Sequence, residues 1–261
     1  MSDNVSPNVG VHANEHAVTE PSRSADWVEK QPAAPLVVGI LIYEGIDQID
    51  ATGPFEVLAR LPDATVHLVG KQAAPLNDHK SLILTPHLTI SACPPLDVLV
   101  VPGGKGQEAL MDDEPVLSFI RNHAAAGRLI LSVCTGALLC GAAGLLRGRR
   151  ATTHWSVLHL LPSFGAVPAD ERVVIDGTLI SAAGVTAGID GALHVVARLR
   201  GSTAAEEIQL DIVYAPEPPF HAGTPATAPA EVFRAVEARY KTLTEARERT
   251  ARAFAVRFAE K

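Results

Sequence analysis

Residues 129–144, LILSVCTGALLCGAAG, decide how this chain is read. Leu129 to Val133 is a short apolar run of the kind that forms a buried strand. Ala137, Leu138 and Leu139 begin a helix of small and apolar residues. Cys134, Thr135 and Gly136 stand between the two. A strand that turns at once into a helix leaves its turn residue strained, with the side chain exposed at the carboxyl edge of the sheet. That is the geometry of a nucleophile elbow. The helix N-terminus adds free N–H groups and partial positive charge, which lower a thiol's pKa and favour the thiolate. Taken alone, the stretch leaves Cys134 either a nucleophile or a buried structural cysteine.

The neighbouring segments supply a sheet for this elbow. Residues 36–43 (LVVGILIY) form a continuous β-branched and apolar run, as expected of a central parallel strand buried on both faces. Residues 96–101 (LDVLVV) form another, closed by Pro102-Gly103-Gly104, where two glycines let the backbone approach a ligand closely. Asp50 or Thr52 is expected to cap a helix running to about Leu61, with Pro54 in its first turn. Residues 65–69 read as a strand, and 82–84 and 88–90 as short strands. Helices are expected over 108–111 and 115–126, the second stopped by Gly127. Strand and helix in alternation imply a doubly wound α/β sheet, whose ligands bind beyond the carboxyl ends of its strands.

Past the elbow, residues 151–154 read as extended and 155–161 as a helical turn or two. Residues 172–175 and 178–181 flank Asp176-Gly177, a hairpin signal. Residues 189–199 are helical, and Thr203 caps a further helix to about Val213. The Pro-rich residues 214–229 are irregular. Residues 231–260 form a long helix whose apolar face carries Val232, Phe233, Val236, Tyr240 and Leu243, packing on the domain or on a second subunit. Residues 1–34 are polar and lack the apolar core of a secretory signal. They read as a disordered extension ahead of one domain over 35–261.

Composition narrows the class. The chain has 261 residues, 47% of them hydrophobic and 20% charged, which suits one large domain. A net charge of −7 with no basic run gives no footprint for nucleic acid. No apolar run is long enough to span a membrane. Three cysteines, Cys93, Cys134 and Cys140, have neither an even count nor metal-ligand spacing, so a reducing, cytoplasmic setting is expected.

Three strand ends carry candidate chemistry: Asp50, the Gly103-Gly104 turn, and Cys134. In a parallel sheet these ends converge on one crevice. A carboxyl beside a thiol can exchange a proton with substrate, and the N–H groups of Gly104 and Thr135 are candidate donors to developing negative charge. Plainer roles stay open: a helix cap for Asp50, a tight turn for the glycines, a cap or a substrate contact for Thr135. His154 is a base by type, but its position favours an ordinary polar role. His123 and His159 read as helix-face residues, Asp190 as an N-cap, Cys140 as core and Cys93 as a loop residue. No His–carboxylate cluster has metal spacing, and no phosphate-binding glycine motif occurs.

These segments resemble the DJ-1/PfpI superfamily. The matching residues are Asp50-x-Thr52-Gly53-Pro54, Leu96-Asp97-x-Leu99-x-Val101-Pro102-Gly103-Gly104, Ser132-Val133-Cys134-Thr135-Gly136, Ala151-Thr152-Thr153-His154-Trp155 and Thr186-Ala187-Gly188-Ile189-Asp190. Within the superfamily, the aspartate at position 50 and the stretch Tyr214-Ala215-Pro216-x-Pro218-Pro219-Phe220 resemble the isonitrile hydratase branch. Thr135 stands where the peptidase branch carries a histidine. The resemblance implies a flavodoxin-like, mostly parallel doubly wound sheet with helices on both faces, and a homodimer. It implies hydration of a small-molecule isonitrile to an N-substituted formamide, with Cys134 as nucleophile, Asp50 as proton donor and acceptor, and Thr135, Gly103 and Gly104 positioning substrate. That chemistry needs no metal and no organic cofactor. The same superfamily also implies two alternatives, a redox- or ligand-sensing module and a cofactor-independent glyoxalase-like enzyme.

Overall fold

The computed structural model describes residues 35–259, and the N-terminal extension expected over 1–34 lies outside them. The strands are β1 (Leu36–Ile42), β2 (Ala64–Gly70), β3 (Leu76–Asn77), β4 (Ile83–Leu84), β5 (Leu88–Thr89), β6 (Val98–Val101), β7 (Leu129–Val133), β8 (Arg150–Ala151), β9 (Val167–Pro168), β10 (Val173–Asp176) and β11 (Leu179–Ala182). The helices are α1 (Gln48–Leu58), α2 (Gln107–Leu110), α3 (Glu114–Ala125), α4 (Gly136–Ala142), α5 (Ala187–Arg200), α6 (Ser202–Asp211) and α7 (Ala230–Ala259), and Trp155–Phe164 winds as a 3₁₀ helix.

Seven strands form the main sheet in the order β10-β11-β7-β6-β1-β2-β5. All its pairings are parallel except the β10–β11 hairpin. The order steps outward in both directions from the β6–β1 centre, the doubly wound pattern expected from the alternation. Every residue of β6 and β7 is buried, and all of β1 except Val37. These strands are covered on both faces, which is why they read as unbroken apolar runs. Helices α1, α5 and α6 pack together on one side, while α3, α4, the 3₁₀ helix and α7 form a second group.

Several local expectations are corrected. The N-cap of α1 is Asp47, whose side chain accepts from the Ile49 N–H at 3.3 Å. Asp50 therefore sits inside the first turn, and the Thr52 hydroxyl bonds back to the Gln48 carbonyl at 2.9 Å. Pro54 lies beyond the first turn, inside α1. Asp190 is not a cap either: α5 begins at Ala187, and Asp190 pairs with Arg172 at 2.6 Å and accepts from the Tyr214 hydroxyl at 3.0 Å. Gly201, rather than Thr203, precedes α6.

The long helix α7 packs on its own chain. Phe233 lies 5.4 Å from Trp155 and Phe254 5.7 Å from Phe164, ring centre to ring centre, while Val232 points outward. No helix among the described residues is long and apolar enough to cross a membrane.

Candidate active site

The strand-to-helix turn has the strain its sequence implies. Cys134 adopts φ +55°, the left-handed region, at a cost of about 1–3 kcal/mol for a residue with a side chain. Two hydrogen bonds hold it there. Its N–H donates to the Ala182 carbonyl at 2.9 Å, and the Thr153 hydroxyl donates to its carbonyl at 2.7 Å. Gly136 opens α4 against the end of β6, where a Cβ would stand 1.9 Å from the Val101 carbonyl oxygen.

The three strand ends do converge. Asp50, fully buried in the first turn of α1, accepts the Gly103 N–H on Oδ2 at 2.8 Å. Its Oδ1 is buried with no hydrogen-bond partner. Burial, then the neighbouring charge of Asp47, pushes the Asp50 pKa up to about 8, against the pull of the Gly103 N–H and the nearby Cys134 thiol. The carboxyl is thus an acid at neutral pH.

The Cys134 thiol is also held protonated. Burial and the Asp50 charge push its pKa well up, and these outweigh the Thr135 N–H and the Arg247 guanidinium, which pull it down. The expected lowering by the helix N-terminus is present as the Thr135 N–H contribution, but it is not the dominant influence. The expectation fails because the sulfur of a buried cysteine beside a carboxyl is poorly solvated as an anion.

The glycine turn plays a different part from the one expected. The Gly103 N–H is committed to Asp50, and the Gly104 N–H donates to Thr135 Oγ1 at 3.1 Å. Neither is free to meet an oxyanion; the two glycines orient the acid and the hydroxyl instead. Gly103 must be glycine, since a Cβ there would stand 2.5 Å from both the N and Oγ1 of Thr135.

Above this pair opens a small cleft, lined by Cys134, Thr135, Gly104, Asp47, His79, Lys105, His154, Val185, and Tyr240, Leu243 and Arg247 of α7. His154 reaches the cleft, yet its Nδ1 accepts the Ser156 N–H at 3.3 Å and lies 2.8 Å from the Ser156 hydroxyl. Burial and Arg247 hold its pKa down to about 4, which makes it a weak base. Asp190 lies away from the cleft in its pairing with Arg172.

Four contributors escaped the sequence reading. Tyr43 follows β1 and donates to the Pro102 carbonyl at 2.8 Å, fixing the glycine turn. Thr153 pins the elbow, as described above. Tyr240 and Arg247 arrive from a helix more than 100 residues downstream of the elbow. The signal for Arg247 was present: it continues the apolar stripe of Tyr240 and Leu243 at helical spacing, so a cation occupies a core-facing position. Among the described residues, no cluster of three His, Cys, Asp or Glu side chains is arranged to hold a metal ion.

Residues 37–198 match the model of the DJ-1/PfpI family. An isonitrile hydratase from Pseudomonas putida is 49% identical over 220 residues, covering 83% of this chain and 96% of that enzyme. The crystal structure of a ThiJ/PfpI family protein from Pseudomonas syringae superposes with a TM-score of 0.82 at 38% identity, over 90% of this chain and 98% of the other. Drosophila melanogaster DJ-1beta, at 22% identity and a TM-score of 0.65, shares the fold.

Proposed function

This chain belongs to the DJ-1/PfpI family, and from that premise we propose that it hydrates isonitriles, R–N≡C, to N-substituted formamides, R–NH–CHO. One observation carries the reading: near-full-length 49% identity to an isonitrile hydratase, in a chain whose thiol and hydroxyl line one cleft with the acid buried behind them.

In this reading Asp50, protonated at neutral pH, gives its proton to the terminal isonitrile carbon. The Cys134 sulfur forms a bond to the same carbon, and the thiol proton passes to the vacated Asp50 carboxylate. The product is a thioimidate, R–N=CH–S–Cys134. Water then adds across the C=N bond: hydroxyl goes to carbon, Asp50 gives its proton to nitrogen, and a water proton replaces it. Collapse breaks the C–S bond with its electron pair returning to sulfur. The hydroxyl proton reaches sulfur through Asp50, and formamide leaves. Asp50 gives and takes one proton in each step, a use suited to a carboxyl whose pKa lies near neutrality. Thr135 positions the substrate.

The reading takes the enzyme as a cytoplasmic homodimer of single-domain subunits, acting on a small molecule. Its test is formamide formation from a simple alkyl isonitrile by the purified chain. The alternative of a redox sensor calls for an accessible, low-pKa thiol, and the burial and raised pKa of Cys134 weigh against it.

A further inference from the structure

Arg247 is a cation on the inward face of α7. It is 2% exposed, its Nη2 donates to the Gly104 carbonyl at 2.6 Å and to Thr135 Oγ1 at 3.5 Å, and its Nε is buried with no hydrogen-bond partner. Both hydrogen-bond partners are neutral. A guanidinium taken out of water is costly unless charge or hydrogen bonds compensate it, and this one is placed in the wall of the cleft above Cys134.

We propose, building on the hydration reading, that Arg247 is a positioning and charge-balancing residue: it fixes the Thr135 hydroxyl as a donor to substrate and balances negative charge on the Cys134 sulfur.

The first role follows from counting lone pairs. A threonine oxygen accepts two hydrogen bonds and donates one. The Gly104 N–H and Arg247 Nη2 occupy the two acceptor sites. The hydroxyl proton then has two destinations: the Gly104 carbonyl at 3.5 Å, which already accepts from Arg247 at 2.6 Å, or an atom of substrate in the cleft. The second role follows from the chemistry of collapse, when the C–S bond breaks and its electron pair returns to sulfur. The groups facing that sulfur are Asp50 and Asp47 of the α1 end, Tyr43 after β1, His154, and Tyr240 and Arg247 of α7. His154 is neutral, so Arg247 is the fixed cation of this set; His79 and Lys105 stand in the same cleft wall. Once ionised, Cys134 is foremost among the charges that hold the Arg247 pKa up against the lowering by burial, ahead of Tyr43, the Glu108 carboxylate of α2 and Tyr240.

The test compares the full chain with Arg247→Met and Arg247→Gln. One readout is the rate of alkylation of Cys134 by iodoacetamide against pH, followed by mass spectrometry of its peptide; the other is the separate kcat and KM for isonitrile hydration. Arg247→Met should alkylate at least about tenfold more slowly at neutral pH, the effect of about one unit in thiol pKa. Its kcat should fall at least about tenfold, with KM within about twofold. Arg247→Gln keeps a donor for the Gly104 carbonyl without the charge, so it should retain the fold and show the same alkylation loss. Wild-type alkylation and kcat in a folded Arg247→Gln or Arg247→Met protein would overturn the proposal. Absence of formamide from the wild type would instead remove the hydration reading, and the alkylation profiles would still decide whether Arg247 balances the sulfur.

Discussion

The Gly103 amide donates to Oδ2 of Asp50 at 2.8 Å, while Oδ1 of the same carboxyl is buried without a hydrogen-bond partner. This asymmetry assigns the two oxygens different work. Oδ2 is held as an acceptor, which leaves Oδ1 as the oxygen able to carry the proton of the neutral carboxyl. A tight turn written as Pro102-Gly103-Gly104 thereby sets the orientation of an acid more than 50 residues earlier in the chain.

The buried acid should cost stability. Its folded pKa, about 8, lies above the ordinary 3.8, so the folded state binds more protons between those values. Stability is then greatest below the unfolded pKa, falls as pH rises, and the loss is complete above about 8. By pH 7 the part of this loss already incurred has an upper bound of roughly 4 kcal/mol. Asp50→Asn should therefore melt higher than wild type near neutral pH, with the gap closing in acid, while turnover falls at least about a hundredfold. Melting curves across pH, beside formamide assays, check both halves.

The rate should follow the same proton. If the protonated Asp50 delivers the first proton, kcat/KM is flat below neutrality and falls as pH rises through about 8. A pH–rate profile measures this. A limb that instead rises with pH through the same region would mean that the ionised carboxylate is the working form.

The elbow depends on Thr153. Thr153→Val keeps the shape of the side chain but removes the donor to the Cys134 carbonyl, leaving a buried acceptor beside a strained residue. The expected cost is about 1–3 kcal/mol in denaturant unfolding, together with a lower kcat as the sulfur loses its fixed position.

Gly103→Ala should be worse for catalysis than its size suggests. The added methyl would meet the Thr135 nitrogen and hydroxyl at 2.5 Å and Asp50 Oδ2 at 3.0 Å, so the acid and the elbow must move apart. Activity should drop at least about a hundredfold, since displacements of about 1 Å at a reacting centre carry costs of that order. Steady-state kinetics on the folded variant would check it.

Much of this was legible in sequence because it is local. β1, β6 and β7 announce themselves as apolar runs, and the elbow as a strand that meets a helix at Cys134. The convergence of Asp50, Gly103 and Cys134 followed from one rule about parallel sheets. What was not legible depends on partners distant in the chain. Whether the Gly104 N–H is free is decided by a hydroxyl 31 residues away, and the place of Arg247 by how α7 packs on the 3₁₀ helix and α2. The cap of α1 was misjudged because Asp47, Asp50 and Thr52 are all good capping residues, and only the backbone path chooses among them. Helix position alone points to a lowered thiol pKa, and burial, which local sequence does not display, reverses it.

The most direct measurement is formamide formation from an alkyl isonitrile by wild type and Cys134→Ala side by side. The account predicts turnover by the wild type and none above background by the variant. Formamide at the wild-type rate from Cys134→Ala would contradict the covalent mechanism, and a wild type that forms none would contradict the proposed function.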